Sequence, residues 1–168
     1  NMPSYQNIVL LDLHTGLGHR GRLHLLSTGN PHGINQSLFN ELFDLEADKT
    51  FYEFTPSSAE GFYPTHGALN DIFPELARPD QRICAITMEF GTLGHDEKSR
   101  LDGINRWFTH HQGLHYGFAT REIEKTVYDR YLEKFFPDSV AWKTDVLTAA
   151  RGLFSSVLSR AGALPKIN

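Results

Sequence analysis

One cysteine, Cys84, stands in 168 residues. That excludes an internal disulfide and any zinc site built from several cysteines. Long apolar runs are missing too: nothing approaches the roughly 18 residues that cross a bilayer. The opening "NMPSYQ" is too short and polar to read as a leader peptide. Positive charge is in deficit, with 16 Lys and Arg against 20 Asp and Glu and a net charge of -4. Such a chain has no electrostatic reason to seek nucleic acid or an anionic membrane. These absences predict a cytoplasmic protein with neither partner. Repeats, linkers and low-complexity tracts are absent as well, so residues 1–168 read as a single domain.

Apolar residues at 40% and charged ones at 21% are ordinary for a globular chain. Its length suffices to bury about two thirds of the unfolded surface. Histidine is somewhat abundant, with nine residues, and raises the question of a metal.

The first half reads as strands and loops. Residues 8–14 form a continuous apolar run, the pattern of a strand buried on both faces. Residues 22–28 suggest a shorter strand, and 82–90 a second buried one. Between them, Ile34, Leu38 and Leu42, with Phe39 and Phe43 beside them, recur at helical spacing. Residues 45–66 read as loop, with extended pieces near Phe51 and Phe62. A short helix disturbed by Pro74 follows.

The second half is helical. Residues 97–111 put Leu101, Ile104 and Phe108 on one face; residues 121–136 do the same with Ile123, Val127, Tyr131 and Phe135. A last helix opens at the N-cap Ser139 and closes before Gly162. Buried strands alternating with helices predict an α/β fold with a mixed, largely parallel sheet and flanking helices. A strand buried from residue 8 onward needs neighbours, so the N-terminal part of the domain is expected to be missing. Its exposed edge would invite another chain or self-association.

The stretch "IVLLDLHTGLGHRG" holds two motifs. Gly16, Gly18 and Gly21 spell the spacing of a dinucleotide-binding loop, but that loop must open a helix that receives the phosphates. Here "RLHLLST" follows, with strand character, so the glycines are expected to turn the chain sharply beside a site. Asp12 and His14 are two apart on a strand and share a face. Glu89 sits near the carboxyl end of the other buried strand. An ionised carboxylate in that apolar run costs several kcal/mol unless it is paired or faces a polar cavity. Parallel neighbouring strands would bring His14 and Glu89 to one cleft. A lone histidine and a solvent-facing glutamate are the plainer readings, and spacing alone leaves them open.

Four segments, "LLDLHTGLG", "FYPTHGAL", "AITMEFGT" and "FFPDSVAWKTDVLTAARGLFSSVL", occur in an order and spacing that resemble the C-terminal portion of a bacterial family of zinc-carboxypeptidase-like proteins. That family is related to the succinylglutamate desuccinylase and aspartoacylase group, and the resemblance runs from Ile8 to Leu164. It implies a zinc-carboxypeptidase-like fold that cleaves an amide bond in a peptide or an N-acyl amino acid. It implies that His14 is a zinc ligand, Glu89 the general base, and Tyr63 a residue closing over substrate. His66, in the same loop as Tyr63, is a weaker polar candidate read as structural. Asp12 then either steadies the imidazole or simply faces solvent.

The family's other two zinc ligands come from a His-x-x-Glu segment, and no such spacing occurs here. His95-Asp96-Glu97 is one residue short, and His110, His111 and His115 have no glutamate to complete the motif. The substrate-gripping arginine and asparagine of the family have no match either. The expectation is therefore a fragment whose remaining ligands lie in the N-terminal half of the same protein or in a partner chain. A catalytically inactive binding or interaction module on the same fold is the alternative.

Overall fold

The computed structural model describes residues 5–27, 33–56, 59, 62 and 67–162. Four strands form one open sheet in the order β1-β4-β2-β3: β1 Asn7–Gly16, β2 Leu23–Leu26, β3 Tyr52–Thr55 and β4 Arg82–Gly91. The β1–β4 and β2–β3 pairs are parallel and β2–β4 is antiparallel. The mixed, mostly parallel α/β architecture expected from the alternation of strands and helices is the one observed. No helix among these residues is long and apolar enough to cross a membrane.

Side-chain alternation divides the sheet into two unlike faces. One face carries Cys84, Ile86, Met88 and Phe90 of β4, Leu23 and Leu25 of β2, and Tyr52 of β3, all buried. Against it pack α1 (Gln36–Leu42) through Leu38, Phe39 and Leu42, and α5 (Val140–Arg160) through Ala149, Leu153 and Val157. The other face is polar toward the carboxyl ends of β1 and β4. The short helix α2 (Leu69–Ile72) covers part of it and places the fully buried Asn70 there, its Nδ2 donating to Thr87 Oγ1 at 2.7 Å.

Local chemistry sets the element ends. Asn35 caps α1 by accepting from the Leu38 N–H at 3.0 Å. The helix stops earlier than its apolar period suggests, because Asp44 Oδ1 accepts from Glu46 and Ala47 N–H and winds the chain into turns. Pro74 converts the end of α2 into a 3-10 turn, Phe73–Leu76. Ser139 caps α5 by accepting from Trp142 N–H, as expected. The helix expected over 97–111 runs on as α3, Glu97–Tyr116, until Gly117 turns it at φ 88°.

Two expectations are corrected. The apolar run of β1 is not sealed on both sides: β1 is an edge strand, Leu13 is 60% exposed, and its outer edge has no partner strand among the described residues. Nor does the Leu101/Ile104/Phe108 stripe of α3 enter the core, since each of the three is more than half exposed. Instead α3 buries Gly103, His110 and Gly113. It pairs with α4 (Arg121–Glu133), where His110 stacks on Tyr131 at 4.0 Å between ring centroids. His110 thus serves helix packing, while His111 and His115 are exposed.

A buried polar group ties α5 to the loop before β3. Asp48, 5% exposed, accepts from Arg160 Nη1 at 2.5 Å, Tyr52 Oη at 2.8 Å and Ser156 Oγ at 3.1 Å. Burial alone would raise the Asp48 carboxyl; the bonds from Arg160, Tyr52 and Ser156 outweigh it and hold it below the usual carboxylate range. Arg160→Met strands this carboxylate, so the free energy of unfolding at neutral pH is expected to fall by about 3 kcal/mol in a urea titration. The pair's contribution is complete above the ordinary aspartate value and is lost as pH drops through the depressed one. Wild type and variant should therefore converge in strong acid.

Candidate functional site

The parallel ladder of β1 and β4 sets His14 opposite Glu89 and Asp12 opposite Thr87. Partners in register point to the same face and lie about 4.8 Å apart across the strand spacing. The two groups predicted to share a cleft are therefore neighbours on the polar face, at the carboxyl ends of two parallel strands. Ligands collect at such ends in open α/β sheets.

The row continues across the sheet. Glu89 is in register with His24 of β2, and His24 with Glu53 of β3. Four titratable side chains thus form one line from edge to edge: His14, Glu89, His24 and Glu53. In the strand Leu23–Leu26, His24 points to the face opposite Leu23 and Leu25; the sequence reading did not single it out. What that reading lacked was the strand order that sets His24 beside Glu89.

The members differ sharply in environment. Glu89 is 6% exposed, and its burial raises its carboxyl above the usual glutamate range. The Leu17 N–H donating to Oε1 at 2.9 Å and the nearby charges of His14 and Lys134 work the other way. His14 is half-exposed, and its Nε2 lies 2.9 Å from Asp12 Oδ2. An ionised carboxylate only accepts, so this contact puts the proton on Nε2 and leaves Nδ1 with its lone pair outward. Asp12 thus contacts the imidazole of His14.

His24 is not available as a ligand. Its Nδ1 lies 3.0 Å from Glu53 Oε1 and 2.9 Å from Thr55 Oγ1, and its Nε2 accepts from the His19 N–H at 3.2 Å. With both ring nitrogens engaged, it anchors the loop that follows β1. The approach is so close that a Cβ on Gly18 (φ 97°) would lie 2.5 Å from the His24 ring. On the other side, a Cβ on Gly91 would collide with the His19 carbonyl. Gly18 serves this contact, while Gly21 makes room for Asp145, and the strand at Leu23–Leu26 where a phosphate loop needs a helix rules against the nucleotide motif.

The loop is stitched down elsewhere. Arg20 donates to Thr92 O, Trp142 Nε1 and the Gly21 N–H both donate to Gly91 O, and Thr15 Oγ1 donates to Phe135 O. The Leu17 N–H that holds Glu89 is thereby fixed on three sides. Beyond the Gly16–Leu17 backbone opens a cavity of about 670 Å³, walled by residues 93–95 and by α3.

Tyr63 and His66 lie outside the described residues. Among the described residues, no three His, Cys, Asp or Glu side chains come together as a metal site. His14 alone does not fit a zinc centre, which takes three protein ligands in catalytic sites. His95, His110 and His111 stand elsewhere: His95 at the cavity, the other two on the α3–α4 contact.

Comparison with known proteins gives one relationship. The family described as "Protein of unknown function (DUF2817)" matches residues 1–149. No curated protein and no solved structure matches the chain.

His24 gives the site a pH signature. Burial, with the neighbouring charges of His19, Arg22 and His95, pushes its imidazole down to about 4 against the pull of Glu53. The unfolded chain takes up that proton from about pH 6.5, whereas the folded chain does so only near 4. Stability is therefore expected to fall by about 2–3 kcal/mol as pH drops through this window. Glu89, with its raised folded value, acts in the opposite sense: its stabilisation is present below the ordinary glutamate value and fades as pH rises. His24→Gln should flatten the acid slope, read from urea midpoints at pH 7 and pH 5. An unchanged slope would mean that another group is responsible.

Proposed function

The chain belongs to the DUF2817 family, and from that premise and the geometry of the polar row we propose that it carries the base-bearing wall of a zinc-carboxypeptidase-like amide hydrolase. The observation that supports this reading most directly is the register of His14 with Glu89. In it, a carboxylate raised by burial stands one strand away from an imidazole whose Nδ1 makes no hydrogen bond among the described residues. Glu89 is the general base: it takes a proton from the attacking water and passes it to the leaving nitrogen. A base with a raised pKa is better matched to that transfer near neutral pH than an ordinary glutamate. The Leu17 N–H keeps the carboxylate aimed along the strand end. Asp12 holds His14 in the tautomer a metal ligand needs, as carboxylates behind ligating histidines do.

A zinc ion, when bound, supplies carbonyl polarisation and a more acidic water. His14 would be one of its ligands, and the others would come from polypeptide other than residues 1–168, in the same protein or a partner. The substrate class is a peptide or an N-acyl amino acid. The absence of a three-ligand cluster among the described residues favours a second reading, a catalytically inactive binding module on this fold.

The two separate on zinc-supplemented hydrolysis of N-acyl amino acids and dipeptides by the full-length gene product. Glu89→Gln should lower kcat by about 10²–10⁴-fold with little change in KM. His14→Ala should release zinc on dialysis, while residues 1–168 alone should hold the ion weakly. Full activity in Glu89→Gln would remove Glu89 as the base. Equal zinc retention with and without His14 would end the ligand assignment and leave the binding-module reading.

A further inference from the structure

The cavity beyond the Gly16–Leu17 strap combines three features that nothing so far accounts for. First, the apolar stripe of α3 faces it. Leu101, Ile104, Trp107 and Phe108 line the space together with Leu93, although these four α3 side chains are each more than 40% exposed. Surface helices normally turn such a stripe to the core; α3 turns its glycines and His110 inward instead. Second, Lys134 enters the same space half-buried. Its Nζ lies 4.2 Å over the Phe135 ring; the Glu89 carboxylate acts on it as a nearby charge, but no carboxylate of the described residues is within ion-pair distance. Third, His95 Nδ1 is buried at the cavity wall with no hydrogen-bond partner among those residues.

The volume, about 670 Å³, lies within the range of small-molecule sites. An apolar wall ending in the Lys134 ammonium suits an amphipathic anion. Arg100 at the rim adds positive charge and Glu97 subtracts it. A purely apolar ligand would cover the half-buried Lys134 ammonium without giving it a partner, which costs free energy. An ordinary polar solute would leave the α3 stripe wet.

We propose that this cavity binds a carboxylate with a medium-length aliphatic or aromatic body, the body against Leu101, Ile104, Trp107 and Phe108 and the carboxylate on Lys134. The inference goes beyond the hydrolase reading, because neither Glu89 nor His14 is among the residues lining the cavity and no metal is needed.

Octanoate and 1-octanol, equal in chain and different in charge, are suitable probes. Trp107 lines the cavity while Trp142 is buried elsewhere, so titration is followed by tryptophan emission and by the methyl resonances of Leu93, Leu101 and Ile104. Octanoate should bind saturably and about tenfold more tightly than octanol, as expected for a charge-assisted contact. Lys134→Met should erase that preference while leaving octanol binding in place, and Ile104→Asp should weaken both. Trp107→Phe should remove the emission change but not the methyl shifts. Equal affinities in wild type, or octanoate binding unaffected by Lys134→Met, would overturn the proposal. So would methyl shifts confined to other residues, or sedimentation showing that a second copy of the chain occupies the cavity and excludes octanoate.

Discussion

The parallel ladder between β1 and β4 is the constraint on which the rest of the structure depends. Ten residues pair in unbroken register, from Asn7 with Arg82 to Gly16 with Gly91. A slip of one residue would turn Asp12 and His14 onto the apolar face and bring Leu13 to the polar one. The register is specified because Ile86 and Met88 must be buried under α1 and α5, which fixes Thr87 and Glu89 on the opposite face. The chemistry of the polar face is thus a consequence of packing on the apolar face.

A second dependency runs through the loop after β1. Glu89 is buried, and a buried carboxylate persists only where donors meet it. The Leu17 N–H is that donor, and its position is set by His24 beneath Gly18, by Arg20 on Thr92, and by Trp142 on Gly91. Residues from β2, β4 and α5 therefore hold one hydrogen bond at the strand end. In this supporting shell His24, Thr92 and Trp142 are buried, whereas His14 and Asp12 remain open on an edge strand. The arrangement resembles one wall of a cleft: a braced acid, an accessible imidazole, and a sheet edge along which further structure could join.

Several parts of this were legible before any coordinates. Strand alternation placed Asp12 with His14, and the cost of burying Glu89 in an apolar run demanded a polar surrounding. The absence of a helix after the glycines argued against a phosphate loop. Other parts were not legible, because they arise from contacts distant in the chain. Nothing near Leu17 reveals that its N–H meets a carboxylate 72 positions later. The α3 stripe had the periodicity of a core-facing helix, but α4 and the Gly103, Gly113 surface turned it outward onto a cavity.

The sequence by itself determined the α/β class, the starts of α3, α4 and α5, and the presence of an imidazole and a carboxylate at two strand ends. These follow from short-range rules: side-chain period, capping, proline and glycine geometry. Only the tertiary structure decided strand order, and with it the row from His14 through Glu89 and His24 to Glu53. Strand order depends on which surfaces bury one another across the whole chain, and local residue patterns carry no record of that choice.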